Sequence, residues 1–358
     1  MYKMKKRIAV IFGGYSTEYD VSLQSAFSVL QNINRKHFEI VPVGITRDGE
    51  WYHYTGKIEN ISNNSWFEDE ENLYPIMVSQ SRLAQGFREF HGDKCREIPI
   101  DLVFPILHGK NGEDGTLQGL FELAGIPVVG CNTVSSAICM DKDRAHKLVS
   151  LAGIAVPKSV SFRRFEKETA YREIKKNLCC PLFVKPVRSG SSFGITRINE
   201  IQQLDAATES AFQYDTEVIA EEAVNGFEVG CAILGNDTLT VGRIDEIELS
   251  GSFFDYTEKY TLKSSKIYMP ARVDSETEKR IQETAKVIYS VLGCSGYARV
   301  DMFYTPSGEI VFNEVNTIPG FTTHSRYPNM MKGIGLSFTE VLDKLISLYV
   351  KWDDKEEL

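Results

Sequence analysis

Short apolar blocks alternate with amphipathic stretches through the first third of the chain. Arg7 to Phe12 is rich in Ile and Val and predicts a buried strand, which Gly13-Gly14 ends. Ala26, Val29, Leu30 and Ile33 follow at helical spacing on one face. Phe38 to Ile45 predicts a second strand, and Asp48-Gly49 a turn before Trp51 to Tyr54. Strand, helix and strand in close succession predict a βαβ unit in an open parallel sheet.

Residues 56 to 97 carry the acidic run Glu68 to Glu71 and predict irregular, variable surface structure. Asp101 to Leu107 predicts another buried strand, running into His108-Gly109-Lys110-Asn111-Gly112. A helix over Thr116 to Ala124 and a short strand at Val128-Val129 complete a first domain, 1–131. A second, 132–216, holds a helix from Asp141 to Ala152, a strand to Phe162, a helix around Glu166 to Asn177 and the strand Leu182 to Lys185. The third, 217–358, begins with strands at Glu217 to Glu221, Glu228 to Leu234 and Leu239 to Leu249. A loop from Gly251 to Met269, a helix from Ser275 to Leu292, a strand pair and a helix from Ser337 to about Val350 follow. The pattern is that of an α/β and α+β protein.

The strand pair holds the densest chemistry. Ala298 to Tyr304 alternates, Thr305-Pro306-Ser307-Gly308 predicts a turn, and Glu309 to Asn316 returns. Setting Tyr304 opposite Glu309 puts Asp301 opposite Phe312 and Arg299 opposite Glu314. Arg299, Asp301, Glu314 and Asn316 then share one face with Phe312, and Val300, Met302, Val311 and Val315 lie behind them. Carboxylates buried in that way need neutralising. Magnesium, which takes carboxylates and substrate phosphates, supplies the charge.

A second constellation runs from Lys185 to Gly194, a strand-end lysine followed by a loop rich in Gly and Ser. Such backbone N–H groups and hydroxyls can cradle a triphosphate. GxxxxGK[ST] is absent from the chain, so this is not a Walker A loop. The loop also satisfies GxSxG with Ser192 central, but Ile195 to Ile198 predicts a second strand where a hydrolase needs a helix. The helix start Met140 to His146 and the acids Glu221, Glu222 and Glu228 are weaker signals on their own.

Net charge −9 argues against a nucleic-acid wrapper or an anionic-lipid binder. Seven cysteines include no CxxC pair, and Cys179-Cys180 are adjacent, which suits reduced thiols better than a disulfide framework or zinc. The run Ile8 to Phe12 is too short for a signal-peptide core, and no apolar stretch reaches a membrane span. A cytoplasmic location is expected, with the sequon at Asn63 an unmodified surface loop.

Taken in order, these motifs resemble the ATP-grasp superfamily, and over nearly the whole chain the D-alanine–D-alanine ligase family. The matching residues are Phe12-Gly13-Gly14 with Glu18 to Ser22, His108-Gly109 with Gly112-Glu113-Asp114-Gly115, and Met140-Asp141-Lys142. Further matches are Val184-Lys185-Pro186 with Gly190-Ser191-Ser192, Asp255-Tyr256 with Lys259-Tyr260, Arg299 with Asp301, and Glu314 through Gly320 with His324-Ser325.

The resemblance implies an ATP-grasp fold with an N-terminal Rossmann-like domain that binds the first substrate, and ATP held between the central and C-terminal units. It implies that Lys142, Lys185, Lys259 and Ser192 hold the phosphates, that Glu221, Glu222 and Glu228 lie near the nucleoside, and that Asp301, Glu314 and Asn316 hold two magnesium ions. A first amino acid is activated as an acyl phosphate, and the amine of a second attacks it. Arg299 and the Gly320 N–H then stabilise the oxyanion. Glu18 binds the first ammonium, clustered with Ser191 and Tyr260 under a lid over Gly251 to Met269. His108, Lys259, Ser325 and Arg326 complete the substrate contacts, and a homodimer is implied.

One residue departs from the alanine-joining pattern. Arg326 stands where those members carry an apolar side chain, beside the second substrate. Arginine offers donors to a hydroxymethyl group, and members of the family that make D-alanyl-D-serine carry arginine here. The chain therefore looks like a D-alanine–D-serine ligase of the vancomycin-resistance type, with D-alanine–D-alanine ligation the alternative. Tyr260, which depsipeptide-forming relatives replace, favours an amine over a hydroxy acid. Glu222 replaces a lysine found in some members, which bears on adenine contacts. A catalytically dead ATP-binding module is the rival from another class, and the intact Arg299, Asp301, Glu314, Asn316 set argues against it.

Overall fold

A computed structural model describes residues 5–190, 192–249 and 265–350 of the chain. Its core is three sheets in succession. The first contains β1 (Lys6–Gly13), β2 (Phe38–Ile45), β3 (Trp51–Tyr54), β4 (Leu73–Val78), β5 (Gly86–His91), β6 (Lys94–Pro99) and β7 (Leu102–Pro105), in the order β6-β5-β4-β3-β2-β1-β7. β1 pairs in parallel with β2 and β7, and helix α1 (Tyr19–Asn32) makes the crossover. This is the expected Rossmann-like unit, its strands buried on both faces as a parallel core requires.

Residues 56–97 depart from the irregular surface that their polarity predicts. They form the short helix α2 (Glu59–Ser62) and the antiparallel meander β4-β5-β6, which extends the sheet. Trp66 anchors this region: it is fully buried, donates Nε1–H to Tyr19 Oη at 2.9 Å and meets Phe12 edge-on at 5.1 Å. Gly44 makes room for its ring, since a Cβ there would lie 2.4 Å from two indole carbons. We expect Gly44→Ala to cost about 1–3 kcal/mol through overpacking. An unshifted urea midpoint would refute that account of Trp66.

The second sheet follows α3 (Thr116–Ala124), α4 (Thr133–Met140) and α5 (Lys142–Leu151). Two helices are capped by the side chains just before them, with Asn132 accepting from Ser135 N–H and Asp141 from Arg144 N–H. The sheet comprises β8 (Ser159–Arg163), β9 (Leu182–Pro186), β10 (Thr196–Ile198) and β11 (Glu217–Glu222), ordered β10-β9-β11-β8, with α6 (Lys167–Asn177) and α7 (Leu204–Ala211) on it. A boundary at 216/217 would cut β11 from its partners. Val218 to Glu222 pair with β9, so the second sheet closes at Glu222 and the division falls in the turn before Phe227.

The third sheet runs β14-β13-β12-β15-β16, from β12 (Phe227–Leu234), β13 (Thr240–Leu249), β14 (Ser265–Tyr268), β15 (Tyr297–Tyr304) and β16 (Ile310–Asn316). β14 falls within the stretch expected to be a loop from Gly251 to Met269; residues 250–264 lie outside the described residues. The helix Ser275–Val291 buries Ile281, Ala285 and Ile288 against this sheet. The helices Arg326–Lys332 and Phe338–Ser347 join a core cluster shared with β1 and α1, so the chain's last part packs on its first.

Candidate active site

The hairpin β15-β16 carries the chemistry, in a register other than the one read from the sequence. Tyr304 faces Ile310, not Glu309, and Thr305 N–H bonds the Glu309 carbonyl at 3.0 Å. A β-bulge then inserts Asn313 between the pairs Met302–Phe312 and Asp301–Glu314. The two shifts preserve the shared face of Arg299, Asp301, Glu314 and Asn316 but move Phe312 to the apolar side. There it packs in the core with Met302 and meets His146 edge-on at 5.5 Å. His146 Nε2 lies 2.8 Å from the Asn313 carbonyl and pins the bulge.

Across the sheet, Asp245, Gly230, Asp301 and Glu314 stand in one row over β13, β12, β15 and β16. Gly230 is the gap in that row, and Arg326 fills it. A Cβ at Gly230 would lie 2.4 Å from Arg326 Nη2 and 2.6 Å from Asp245 Oδ1. Arg326 grips Asp245 with Nε at 2.7 Å and Nη2 at 2.8 Å, reaches Glu228 with Nη1 at 2.9 Å, and lies 3.5 Å from Asp301. Arg299 clamps Asp301 with Nε at 2.8 Å and Nη2 at 2.6 Å, and Asn316 Nδ2 donates to the same carboxylate at 2.9 Å. Arg299 and Arg326 thus supply positive charge to Asp301 and Asp245, and Lys142 to Glu314, alongside the magnesium that the sequence leads one to expect there.

The resemblance put Glu228 near the nucleoside with Glu221; here the two acids part. Glu221 belongs to the second sheet, where it is buried and forms an ion pair with Lys185, and its Oε2 has no partner among the described residues. Glu228 sits with Arg326 on the third. Glu222 accepts the Cys179 N–H at 2.7 Å. Lys142 donates to the Ser189 carbonyl at 2.9 Å and lies 3.5 Å from Glu314, tying the Gly/Ser loop to the hairpin face. In that loop Ser192 has φ 62°, and β10 follows, so it is the tip of a hairpin and not a nucleophile elbow. Ser191, Lys259 and Tyr260 lie outside the described residues.

Glu18 is buried at the start of α1. Its Oε2 occupies the space beside Gly109 and Gly190, where added Cβ atoms would lie at 2.2 and 2.6 Å. His108 does not present a spare nitrogen to a substrate. Its Nδ1 is 2.8 Å from the Ile318 carbonyl and its Nε2 is 3.1 Å from Ser25 Oγ. Burial lowers its pKa, so the ring is neutral, with Nδ1–H donating and Nε2 accepting. Ser325 begins the helix Arg326–Lys332, and its Oγ accepts from Thr322 N–H at 3.0 Å. Glu18, His108, Lys142, Glu314, Asn316, Gly320, Ser325 and Arg326 all line one cavity of about 530 Å³. Lys185 and Glu221 are not in its wall.

Family models for the D-ala D-ala ligase N-terminus and C-terminus match residues 7–131 and 148–347. The chain belongs to the D-alanine–D-alanine ligase family. It is an ATP-dependent ligase with the ATP-grasp fold of that family. It is 73% identical to VanG D-Ala:D-Ser ligase from Enterococcus faecalis, whose crystal structure it matches over 97% of this chain and 100% of that one, with a TM-score of 0.92. It is 44% identical to the vancomycin C-type resistance protein VanC1 of Enterococcus gallinarum, over 96% of this chain and 98% of the relative. It is 43% identical to a D-alanine–D-alanine ligase of Caldicellulosiruptor bescii, over 97% and 96%.

Two residues of this ligase's site carried no role in the sequence reading. Asp245 is fully buried in a strand of otherwise alternating pattern, and an acid at an inward position was its signal. Glu113, though part of a matching motif, is a partly buried acid that accepts from Gly109 N–H at 2.9 Å and Ile318 N–H at 2.8 Å. Burial, reinforced by the charge of Glu18, pushes its pKa up to about 8.

The hairpin's donor set suits magnesium. Asp301 and Glu314 are hard oxygen donors directly opposite one another and Asn316 adds an amide, a set that would hold magnesium together with substrate phosphate. No cluster of three or more His, Cys, Asp or Glu groups placed for a metal occurs among the described residues.

Proposed function

We propose that this ligase joins D-alanine to D-serine, using ATP and magnesium, to make altered peptidoglycan precursors that confer vancomycin resistance. The observation that carries this reading is Arg326, a guanidinium in the wall of the substrate cavity where a hydroxyl-bearing side chain needs donors. The likeness to VanG D-Ala:D-Ser ligase supports it.

In this reading the three sheets divide the work, with the N-terminal unit holding the first amino acid and the two ATP-grasp units holding nucleotide. Glu18 binds the first substrate's ammonium and so orients its carboxylate for attack on the γ-phosphate. Lys142, Lys185 and Lys259 neutralise the triphosphate, Ser192 lies in the cradle, and Glu221 with its unpartnered Oε2 faces the nucleoside. Glu222 and Glu228 are kept as further nucleotide contacts. Asp301, Glu314 and Asn316 would hold two magnesium ions, and the ions would supply positive charge for the phosphoryl transfer. Arg299 and the Gly320 N–H stabilise the oxyanion formed when the second amine attacks the acyl phosphate. His108, Lys259, Ser325 and Arg326 position the substrates, and on the family resemblance Ser191 and Tyr260, which lie outside the described residues, serve with Glu18 to exclude water. No helix among the described residues is long and apolar enough to cross a membrane. A cytoplasmic homodimer belongs to the same proposal, on the family resemblance.

A second reading, D-alanine in both positions, is favoured by the acids that already engage Arg326. Three of its five N–H groups bond Asp245 and Glu228, and Nη2 also lies 3.5 Å from Asp301. A competition assay with ATP, D-alanine and D-serine decides between them. We expect the mixed dipeptide to dominate at equal concentrations. A homodipeptide majority across the pH range would select the second reading, and no phosphate release with any D-amino acid pair would remove both.

A further inference from the structure

The segment Ile318-Pro319-Gly320-Phe321 is built so that one backbone N–H is left for a ligand. Pro319 has none. The Ile318 N–H donates to Glu113 Oε1 at 2.8 Å, and the Phe321 N–H donates to Ser25 Oγ at 3.2 Å. No described residue accepts from the Gly320 N–H. The Ile318 carbonyl is also held, by His108 Nδ1 at 2.8 Å. The Ser25 hydroxyl then closes a circuit by donating to His108 Nε2 at 3.1 Å.

The three anchoring side chains belong to the first sheet's unit: Ser25 to α1, and His108 and Glu113 to the turn between β7 and α3. Ser25 and His108 are buried and Glu113 is partly buried. Glu113 is itself fixed at its other oxygen by Gly109 N–H at 2.9 Å, beside the space that Glu18 occupies. One rigid frame therefore sets both where the first substrate's ammonium goes and where the Gly320 N–H points.

We propose that Glu113, with His108 and Ser25, is a positioning residue for the Gly320 N–H, registering the oxyanion donor against the first-substrate site. The inference rests on the reading of Gly320 as an oxyanion donor. A donor helps only when aimed at the position the oxyanion will take, so small displacements cost rate without costing nucleotide affinity. Glutamine at 113 keeps the shape but sets an amide N–H₂ against one of two N–H donors, so one bond is lost.

Glu113→Gln is expected to lower kcat at least tenfold with the KM for ATP unchanged within twofold. A phosphinate dipeptide analogue, tetrahedral at phosphorus, should bind at least tenfold more weakly, and ADP equally well. A merely structural defect would move ADP binding and ATP KM together. Hydrogen exchange of the peptide spanning 316–323, measured without substrate, should be faster in the variant. Ser25→Ala, which removes the Phe321 acceptor, carries the same test should Glu113→Gln fail to fold. Unchanged exchange in a folded variant would overturn the tether, and faster exchange with unchanged kcat would overturn its role in catalysis. If the wild-type protein makes no dipeptide, the functional reading fails while exchange still reads the tether.

Discussion

Glu314→Gln is expected to lower kcat/KM by about a thousandfold, roughly 4 kcal/mol of transition-state stabilisation. Glu314 faces Asp301 across the bulged hairpin and lies 3.5 Å from Lys142. Removing its charge weakens a hard-oxygen donor and leaves Lys142 free to draw phosphate off line. The fold should tolerate the change, because the side chain is 24% exposed and glutamine is isosteric. Phosphate release measured over a range of magnesium concentrations checks this, and partial recovery at high magnesium is expected. A near-normal rate at low magnesium, in a protein with an unaltered unfolding midpoint, would show that the hairpin face is not the metal site.

Arg326→Leu is expected to move the preference for the second substrate from D-serine towards D-alanine by a factor of ten or more in relative kcat/KM. Leucine replaces donors with the apolar wall that a methyl group needs, and hydroxyl discrimination by a polar site is worth more than that by an apolar one. The change also strands Asp245, which is fully buried, together with Glu228. Breaking such a pair typically costs about 3–5 kcal/mol, so the variant should unfold at lower denaturant. Adding Asp245→Asn to Arg326→Leu removes the orphaned charge and should recover part of that stability while keeping the altered preference. Equal ratios of kcat/KM for the two amino acids in wild type and variant would assign Arg326 to the ion network alone.

Much of this site was legible because its residues lie in short motifs whose local geometry is set by neighbours in the chain. Arg299 with Asp301, and Glu314 with Asn316, are two residues apart, so the pleat alone puts each pair on one face. Asp141 caps α5 and so sets Lys142 at the first turn. Gly13-Gly14 ends β1 beside the helix that begins at Tyr19. The Rossmann-like core was visible in the same way, as apolar strands and an amphipathic helix.

What the chain's order could not reveal depends on register and on distance. The Asn313 bulge is a one-residue event that turn chemistry does not foretell, yet it decides that Asp301 meets Glu314, while the turn's own register sets Phe312 opposite Met302 on the core side. The row Asp245-Gly230-Asp301-Glu314 exists only once three strand pairings are set. Polar composition hid the meander β4-β6, because strands at a sheet edge bury only part of their surface. Glu113 and Ile318 are 205 residues apart, and His108 and Ile318 are 210. By itself the sequence determined the motifs, their faces and the family. Only the tertiary structure decided which buried charges neutralise one another and which backbone N–H stays open, because those outcomes follow from where distant strands come to rest.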